Sequence, residues 1–138
     1  MGVAAAVGVL CWAVALSVVD LRERRLPNVL TLSGAVVILI GAAVTGRGLP
    51  AVLGGLGLAG LYLAVHLAAP AAMGAGDVKL ALGLGALTGA FGVGVWTLAA
   101  LGAQVITVAA GLARGRGGPI PHGPAMCLAS LVAVATAW

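Results

Sequence analysis

Two aspartates stand where long apolar runs meet polar sequence, and carboxylates at such places can do chemistry. Asp20 follows the apolar run 2–19, and Asp77 precedes the largely apolar run 78–113. A carboxylate beside lipid is costly unless it is solvated, paired or functional. Two carboxylates that share a site repel each other's charge, so the pair keeps one proton and offers an acid and a base together. The two residues are therefore candidates for an acid–base pair that activates a water molecule.

The residues around each aspartate suit this chemistry. Gly74 and Gly76 precede Asp77 by three residues and by one, so no side chain there obstructs the approach of another backbone to the carboxylate. Asp77 at a helix start is also favoured by the helix dipole and could be the N-cap. Pro27 suits a fixed turn or the first residue of the second helix, with Asn28 available as a cap. Taken alone, either aspartate could also be a boundary acid that only faces headgroup water.

The remaining candidate nucleophiles and metal ligands lack partners for catalysis. The three serines have no matched His and Asp, two histidines without a third ligand make a weak metal site, and the two cysteines lack a CxxC spacing. We therefore expect no metal and no cofactor. These residues are Ser17, Ser33, Ser130, His66, His122, Cys11 and Cys127.

Composition places the whole chain in lipid. Its 138 residues are 62% hydrophobic and 7% charged, whereas soluble domains carry roughly 25% charged residues. No soluble domain of this size could hide that much apolar surface, and 23 glycines suit closely packed transmembrane helices. The net charge of +4 comes without a basic patch interleaved with aromatic side chains, so we expect lipid as a partner and no nucleic acid. We predict a single polytopic, all-α transmembrane domain over residues 1–138.

Apolar runs of about 20 residues, the length of one crossing, predict a bundle of six transmembrane helices, with five as the alternative. The run 2–19 lacks the basic segment of a signal peptide, which makes it a retained helix. The run 78–113 is too long for one crossing and is expected to turn near 88–92. The other expected spans are 29–44, 50–69 and 125–138.

Basic residues collect on one side of this six-helix topology. The junctions 20–28, 70–79 and 114–124 hold six of them, and Arg47 stands alone on the other side. The positive-inside rule makes the side with six charges cytoplasmic and puts both termini outside. All three acidic residues of the chain fall on the same cytoplasmic side. The six basic residues are Arg22, Arg24, Arg25, Lys79, Arg114 and Arg116.

Two segments resemble the signatures of type IV prepilin peptidases, which belong to the GxGD group of intramembrane aspartyl proteases. One signature is an acid, a basic stretch and Ile/Leu-Pro-Asn, and the other is Gly-x-Gly-Asp-x-Lys. The first is matched by Asp20, Arg22, Arg24, Leu26, Pro27 and Asn28, and the second by Gly74, Gly76, Asp77 and Lys79. A looser family pattern, Pro-Phe-Gly-Pro, reads Pro121-His122-Gly123-Pro124 here, with a histidine in place of the aromatic residue.

This resemblance, which extends over essentially the whole chain, implies an activity and a site. It implies an aspartic endopeptidase with Asp20 and Asp77 as the catalytic pair, in a bacterial inner membrane with its site toward the cytoplasm. The substrates would be prepilins, cut after the glycine between a basic leader and a hydrophobic helix. The chain is similar to the short members that serve Tad-type (Flp) pili. It lacks the cysteine-paired cytoplasmic segment of larger members, so the resemblance does not extend to N-methylation.

The other polar signature residues have more than one interpretation. Glu23 could attract a basic leader or be a solvated loop acid. Lys79 could position substrate, hold an anionic headgroup, stabilise the neighbouring aspartate or serve as a snorkelling topology anchor. The residues expected to shape the site or bind substrate are Gly74, Gly76, Pro27 and Asn28.

A small proton-coupled transporter is the main alternative function, because acids inside a membrane are functional in carriers too. A carrier should place its acids near the midplane, often in inverted repeats. Here both aspartates are expected at one face, and the sequence has no evident repeat. A non-catalytic subunit of a secretion complex is a third alternative, and a homo-oligomeric state stays open.

Overall fold

A computed structural model describes residues 1–115 and 120–138, and these residues form six α-helices. In chain order they are α1 (Val3–Glu23), α2 (Asn28–Val44), α3 (Gly48–Ala68), α4 (Ala75–Phe91), α5 (Val93–Arg114) and α6 (Gly123–Thr136). Three of them, α1, α3 and α5, are long and apolar enough to cross a membrane, and α2 and α6 are shorter apolar helices. The predicted all-α, polytopic six-helix bundle is therefore confirmed, and the five-helix alternative is wrong.

Two helix boundaries can be compared with the predicted ones: the turn between α4 and α5, and the end of α1. The turn expected near 88–92 lies at Gly92, whose φ of +118° is a conformation that glycine adopts without strain. α1 extends beyond its apolar run to Glu23, because polar residues can continue a helix past the lipid, and it ends where Arg24 adopts a left-handed conformation. Asp20 therefore lies inside the last turn of α1, not after it.

Helix α4 is the centre of the bundle. It packs against α2, α3, α5 and α6, and most of its residues from Leu80 to Gly89 are buried. The other five helices carry large apolar side chains on exposed faces, as helices in contact with lipid do, for example Val14 on α1 and Leu101 on α5. The helix that begins next to Asp77 is thus shielded from lipid along most of its length.

Glycines let α3 and α4 approach until their backbones touch. A Cβ atom on Gly54 would overlap the carbonyl oxygen of Gly85 and lie 2.8 Å from the Cα of Gly89. A Cβ on Gly89 would lie 2.7 Å from the carbonyl oxygen of Pro50. Trp96 of α5 donates its indole N–H to the Gly54 carbonyl at 2.9 Å, which ties a third helix to the crossing. Close packing of small residues therefore fixes the position of α4 relative to α3.

Trp12 joins α1 to the same core. Its indole N–H donates to the carbonyl oxygen of Leu30 on α2 at 2.8 Å. Its ring occupies the space that a side chain on Gly34 would need, and a Cβ on Gly83 would lie 3.1 Å from the ring. This anchor lies about two helical turns before Asp20 and fixes which face of α1 points inward.

The two ends of the bundle differ in charge. At one end, Trp138 donates to the carbonyl oxygen of Met1 at 2.9 Å, and Arg47 lies over the ring of Phe91 and donates to Ala90 at 3.4 Å. The opposite end, where α1 ends and α4 begins, is called the site end. Of the basic residues expected there, the described ones are Arg22, Arg24, Arg25, Lys79 and Arg114, whereas Arg116 lies outside the described residues.

Candidate active site

Asp20 is buried at the site end and held by a backbone donor. Its side chain is only 6% exposed, so the alternative in which it faces headgroup water is wrong. The N–H of Gly123, the first residue of α6, donates to Oδ2 of Asp20 at 3.1 Å. A Cβ on Gly123 would collide with that oxygen. The contact exists because α1 packs against α6, so residues from opposite ends of the chain meet here.

Asp77 lies in the first turn of α4 and is partly buried. The N-cap of the helix is Gly74, so the suggestion that Asp77 itself caps α4 is wrong. Asp20 in the last turn of α1 and Asp77 in the first turn of α4 both lie at the site end. The helices α1 and α4 each pack against α6. The structure therefore places the two aspartates at the same end of the bundle, on two helices that share α6 as a neighbour.

The segments that contain the two aspartates also contact each other. The Nζ of Lys79 donates to the side-chain carbonyl of Asn28 at 2.6 Å. Asn28 is the first residue of α2, and Pro27 is its N-cap, so the expected cap by Asn28 is wrong. Pro27 keeps the fixed-turn role, with φ at −67° and its carbonyl accepting from the N–H of Thr31 at 3.1 Å. The side chain of Asn28 therefore accepts a hydrogen bond from Lys79 on α4 and does not cap its own helix.

The two glycines before Asp77 have different surroundings. A Cβ on Gly76 would lie 3.1 Å from Cβ of Leu26, so the absent side chain of Gly76 makes room for Leu26. A Cβ on Gly74 would meet only the Oδ2 of Asp77, at 3.7 Å, and Gly74 is exposed. The open space beside Gly74 suits the expected approach of another backbone to the carboxylate, whereas Leu26 occupies the space beside Gly76.

Glu23 and His66 lie at the edge of this site. Glu23 is the last residue of α1, and its side chain is exposed. His66, in the last turn of α3, contacts the carbonyl oxygen of Met73 through Nδ1 at 2.6 Å, which ties α3 to the loop before α4. His66 thus supports the loop that leads to Asp77.

Three polar residues near the site, Tyr62, Gln104 and Thr107, escaped the sequence reasoning, and so did their contacts with His122. The hydroxyl of Tyr62 on α3 contacts Nε2 of His122 at 2.9 Å. From α5, Gln104 donates to the Tyr62 hydroxyl, and Thr107 contacts the other ring nitrogen of His122. The role of Gly123 beside Asp20 was missed as well, because the loose Pro-x-Gly-Pro pattern was not connected to either acid. Isolated polar residues within apolar runs were the available signal, since such residues are costly in lipid unless they are paired.

Comparison with known protein families matches residues 7–115 to the type IV leader peptidase family. The match covers most of the chain and contains both aspartates. The chain belongs to the type IV leader peptidase family. As a leader peptidase with three helices able to cross a membrane, it is a membrane protease. Comparison with curated proteins and with solved structures gave no match.

The matched range of this leader peptidase ends before the start of α6. It includes Asp20, Asp77 and Tyr62, but not His122 or Gly123. The N–H that contacts Asp20 thus comes from outside the matched part of the leader peptidase, through the packing of α6 on α1.

Proposed function

We propose that this leader peptidase is an aspartic endopeptidase that removes the basic leader from Flp (Tad)-type prepilins. Asp20 and Asp77 are the catalytic pair, and no metal or cofactor takes part. The observation that carries the proposal is that Asp20, which the N–H of Gly123 contacts, and Asp77 lie at the same end of the bundle, on helices that both pack against α6. The proposal covers cleavage alone and does not extend to N-methylation.

The reaction needs one proton on the pair. The ionised aspartate takes a proton from a water molecule, and the resulting hydroxide adds to the scissile carbonyl. The protonated aspartate donates a hydrogen bond to the oxygen that becomes negative and then gives its proton to the departing amine. No covalent enzyme intermediate forms. The N–H of Gly123 fixes the orientation of the Asp20 carboxylate for these transfers.

The surroundings of the pair suit a prepilin. Cleavage falls where a polar leader meets a hydrophobic helix, and both carboxylates lie at an end of the membrane bundle. Gly74 leaves one side of Asp77 open for a substrate backbone. The basic residues at this end make it the cytoplasmic end in an inner membrane by the positive-inside rule. The carrier alternative lacks support, because its acids should lie near the midplane.

Co-expression with a Flp-type prepilin in a bacterial host tests the proposal. Mass spectrometry of the pilin N-terminus should show removal of the leader after the glycine in the presence of the wild-type chain. The double variant Asp20→Asn/Asp77→Asn, at an equal level in the membrane, should leave the prepilin uncut. Equal processing by both proteins would contradict an aspartic mechanism, and an uncut prepilin with the wild-type chain would contradict this substrate class.

Gly123→Ala should slow leader removal about 10- to 100-fold. The added Cβ collides with Oδ2 of Asp20 and must displace the carboxylate or α6. Hydrogen bonds to charged groups contribute about 1.5–3 kcal/mol, which sets this range. Gly111→Ala on α5 is the matched control, because its Cβ would make an ordinary 3.5 Å contact with the Ile120 side chain. Similar initial rates for the two variants would show that the Gly123 contact is dispensable.

A further inference from the structure

A cluster of four polar side chains ties three elements together beside the site. It consists of Tyr62 on α3, Gln104 and Thr107 on α5, and His122 at the N-cap of α6, and is called the His122 cluster. The amide nitrogen of Gln104 donates to the Tyr62 hydroxyl at 3.1 Å. That hydroxyl lies 2.9 Å from Nε2 of His122, and Nδ1 of His122 lies 2.5 Å from Oγ1 of Thr107.

With the amide nitrogen of Gln104 as the donor to Tyr62, one assignment of protons satisfies the whole His122 cluster. Thr107 gives its single hydroxyl proton to the carbonyl oxygen of Ala103 at 2.9 Å, so its oxygen accepts a proton from Nδ1 of His122. Nε2 of His122 is then the acceptor for the Tyr62 hydroxyl, whose oxygen accepts from Gln104. In the reverse tautomer, Nε2 carries the proton and donates to the Tyr62 oxygen. The hydroxyl proton of Tyr62 would then have no acceptor among these contacts, although the side chain is only 2% exposed. The imidazole is therefore neutral, with its proton on Nδ1.

The His122 cluster is connected to the catalytic pair through one peptide unit. His122 is followed directly by Gly123, whose N–H donates to Asp20. The carbonyl of His122 accepts from the N–H of Met126 at 3.0 Å and so belongs to the first turn of α6. The side chain of His122, the N-cap residue, makes no capping bond to that turn. The orientation of the Gly123 N–H therefore depends on how the imidazole is held by α3 and α5.

We infer that His122 is a positioning residue for peptide cleavage, because its bonds to Tyr62 and Thr107 hold the Gly123 N–H against Asp20. This inference rests on the proposed function and adds a residue outside the two aspartate signatures. The imidazole acts through the backbone and takes no proton from the substrate.

The charge state of His122 agrees with this role. Burial lowers the pKa of the imidazole, so it stays neutral near neutral pH. Among titratable groups, Tyr62 from α3 contacts the imidazole, and Asp20 from α1 contacts the next residue, Gly123. Asp77 of α4 lies at the same end of the bundle, and Cys127 lies further along α6. From α5 the imidazole meets Thr107, which carries no charge. A neutral ring can accept from Tyr62, whereas an imidazolium cannot.

Steady-state kinetics in proteoliposomes separate positioning from stability. His122→Phe should lower kcat about tenfold or more with little change in KM, the size expected when a hydrogen bond to a charged group is misplaced. It should also lower thermal stability, because the Tyr62 hydroxyl loses its acceptor. The double variant Tyr62→Phe/His122→Phe removes both polar partners and should regain stability, yet keep the low kcat. Recovery of kcat together with stability would overturn the positioning role.

The pH dependence of unfolding gives an independent readout. Below pH 6.5, the ordinary pKa of histidine, the unfolded chain binds a proton at His122 that the folded chain does not bind. Lowering the pH from 7.5 to 5 should therefore destabilise the wild type more than His122→Phe. Equal pH dependence in the two proteins would contradict the neutral cluster.

The variant Asp20→Asn/Asp77→Asn in the same assay distinguishes failure of the inference from failure of the proposed function. If that variant is inactive while His122→Phe has wild-type kcat, the positioning inference is wrong and the aspartic mechanism stands. If that variant cleaves normally, the proposed function itself is wrong.

Discussion

Asp20→Asn and Asp77→Asn should each reduce leader removal by about 10²–10⁴-fold, the range for loss of general acid–base catalysis. Asparagine keeps the size of the side chain and an oxygen acceptor, but it cannot exchange a proton at neutral pH. Asparagine at position 20 can still accept from the Gly123 N–H, so the loss would come from proton transfer and not from a lost contact. Initial rates on purified prepilin in proteoliposomes measure the effect.

A matched control for these two variants is Glu23→Gln. It makes the same acid-to-amide change in the third acidic residue of the chain, which is exposed at the same end of the bundle. We expect its rate to stay within a few-fold of wild type, since an exposed charge contributes little beyond screened attraction for a basic leader. If either aspartate variant is as active as Glu23→Gln, that aspartate has no part in the mechanism.

Gly54→Ala should lower the free energy of unfolding by about 1–3 kcal/mol, the usual cost of overpacking. Its methyl group would collide with the Gly85 carbonyl oxygen, and a backbone atom cannot rotate away. α3 and α4 must separate, which also weakens the bond from Trp96 to the Gly54 carbonyl. Thermal or denaturant unfolding in detergent micelles measures the change.

Gly60→Ala on the same helix is the control for this substitution. A Cβ on Gly60 meets nothing within 4 Å. Alanine is also favoured over glycine in a helix by roughly 0.5–1 kcal/mol. We expect unchanged or slightly higher stability for this variant. Equal losses in both variants would mean that glycine itself, and not the contact with α4, matters at position 54.

The helices could be predicted from the sequence because lipid leaves the backbone no other way to satisfy its hydrogen bonds. Long apolar runs therefore predicted the six elements, including the turn at Gly92. The end of α1 could not be predicted in this way, since a helix may continue beyond the apolar run, as it does to Glu23. The expected cap by Asp77 was wrong because α4 begins two residues earlier, at Ala75. The expected cap by Asn28 was wrong because Asn28 lies inside α2 and its side chain accepts from Lys79.

The candidate site was predictable only in part. Asp20 and Asp77 could be assigned to one end of the bundle by counting crossings. The contact between Gly123 and Asp20 could not, because it depends on which helices are neighbours and on their rotation. Hydropathy shows that a helix crosses the membrane, but it does not show which helix packs beside it. The pairing of Tyr62 with His122 was out of reach for the same reason.

The length of α4 limits how far this helix can extend across a bilayer. Its 17 residues span roughly 26 Å at 1.5 Å per residue, whereas the hydrocarbon layer is about 30 Å thick. Its neighbour α3, with 21 residues, is long enough to reach both headgroup layers. The central helix, whose first turn contains Asp77, therefore cannot reach both headgroup layers at once, and its loops must enter the level of the hydrocarbon at one end at least.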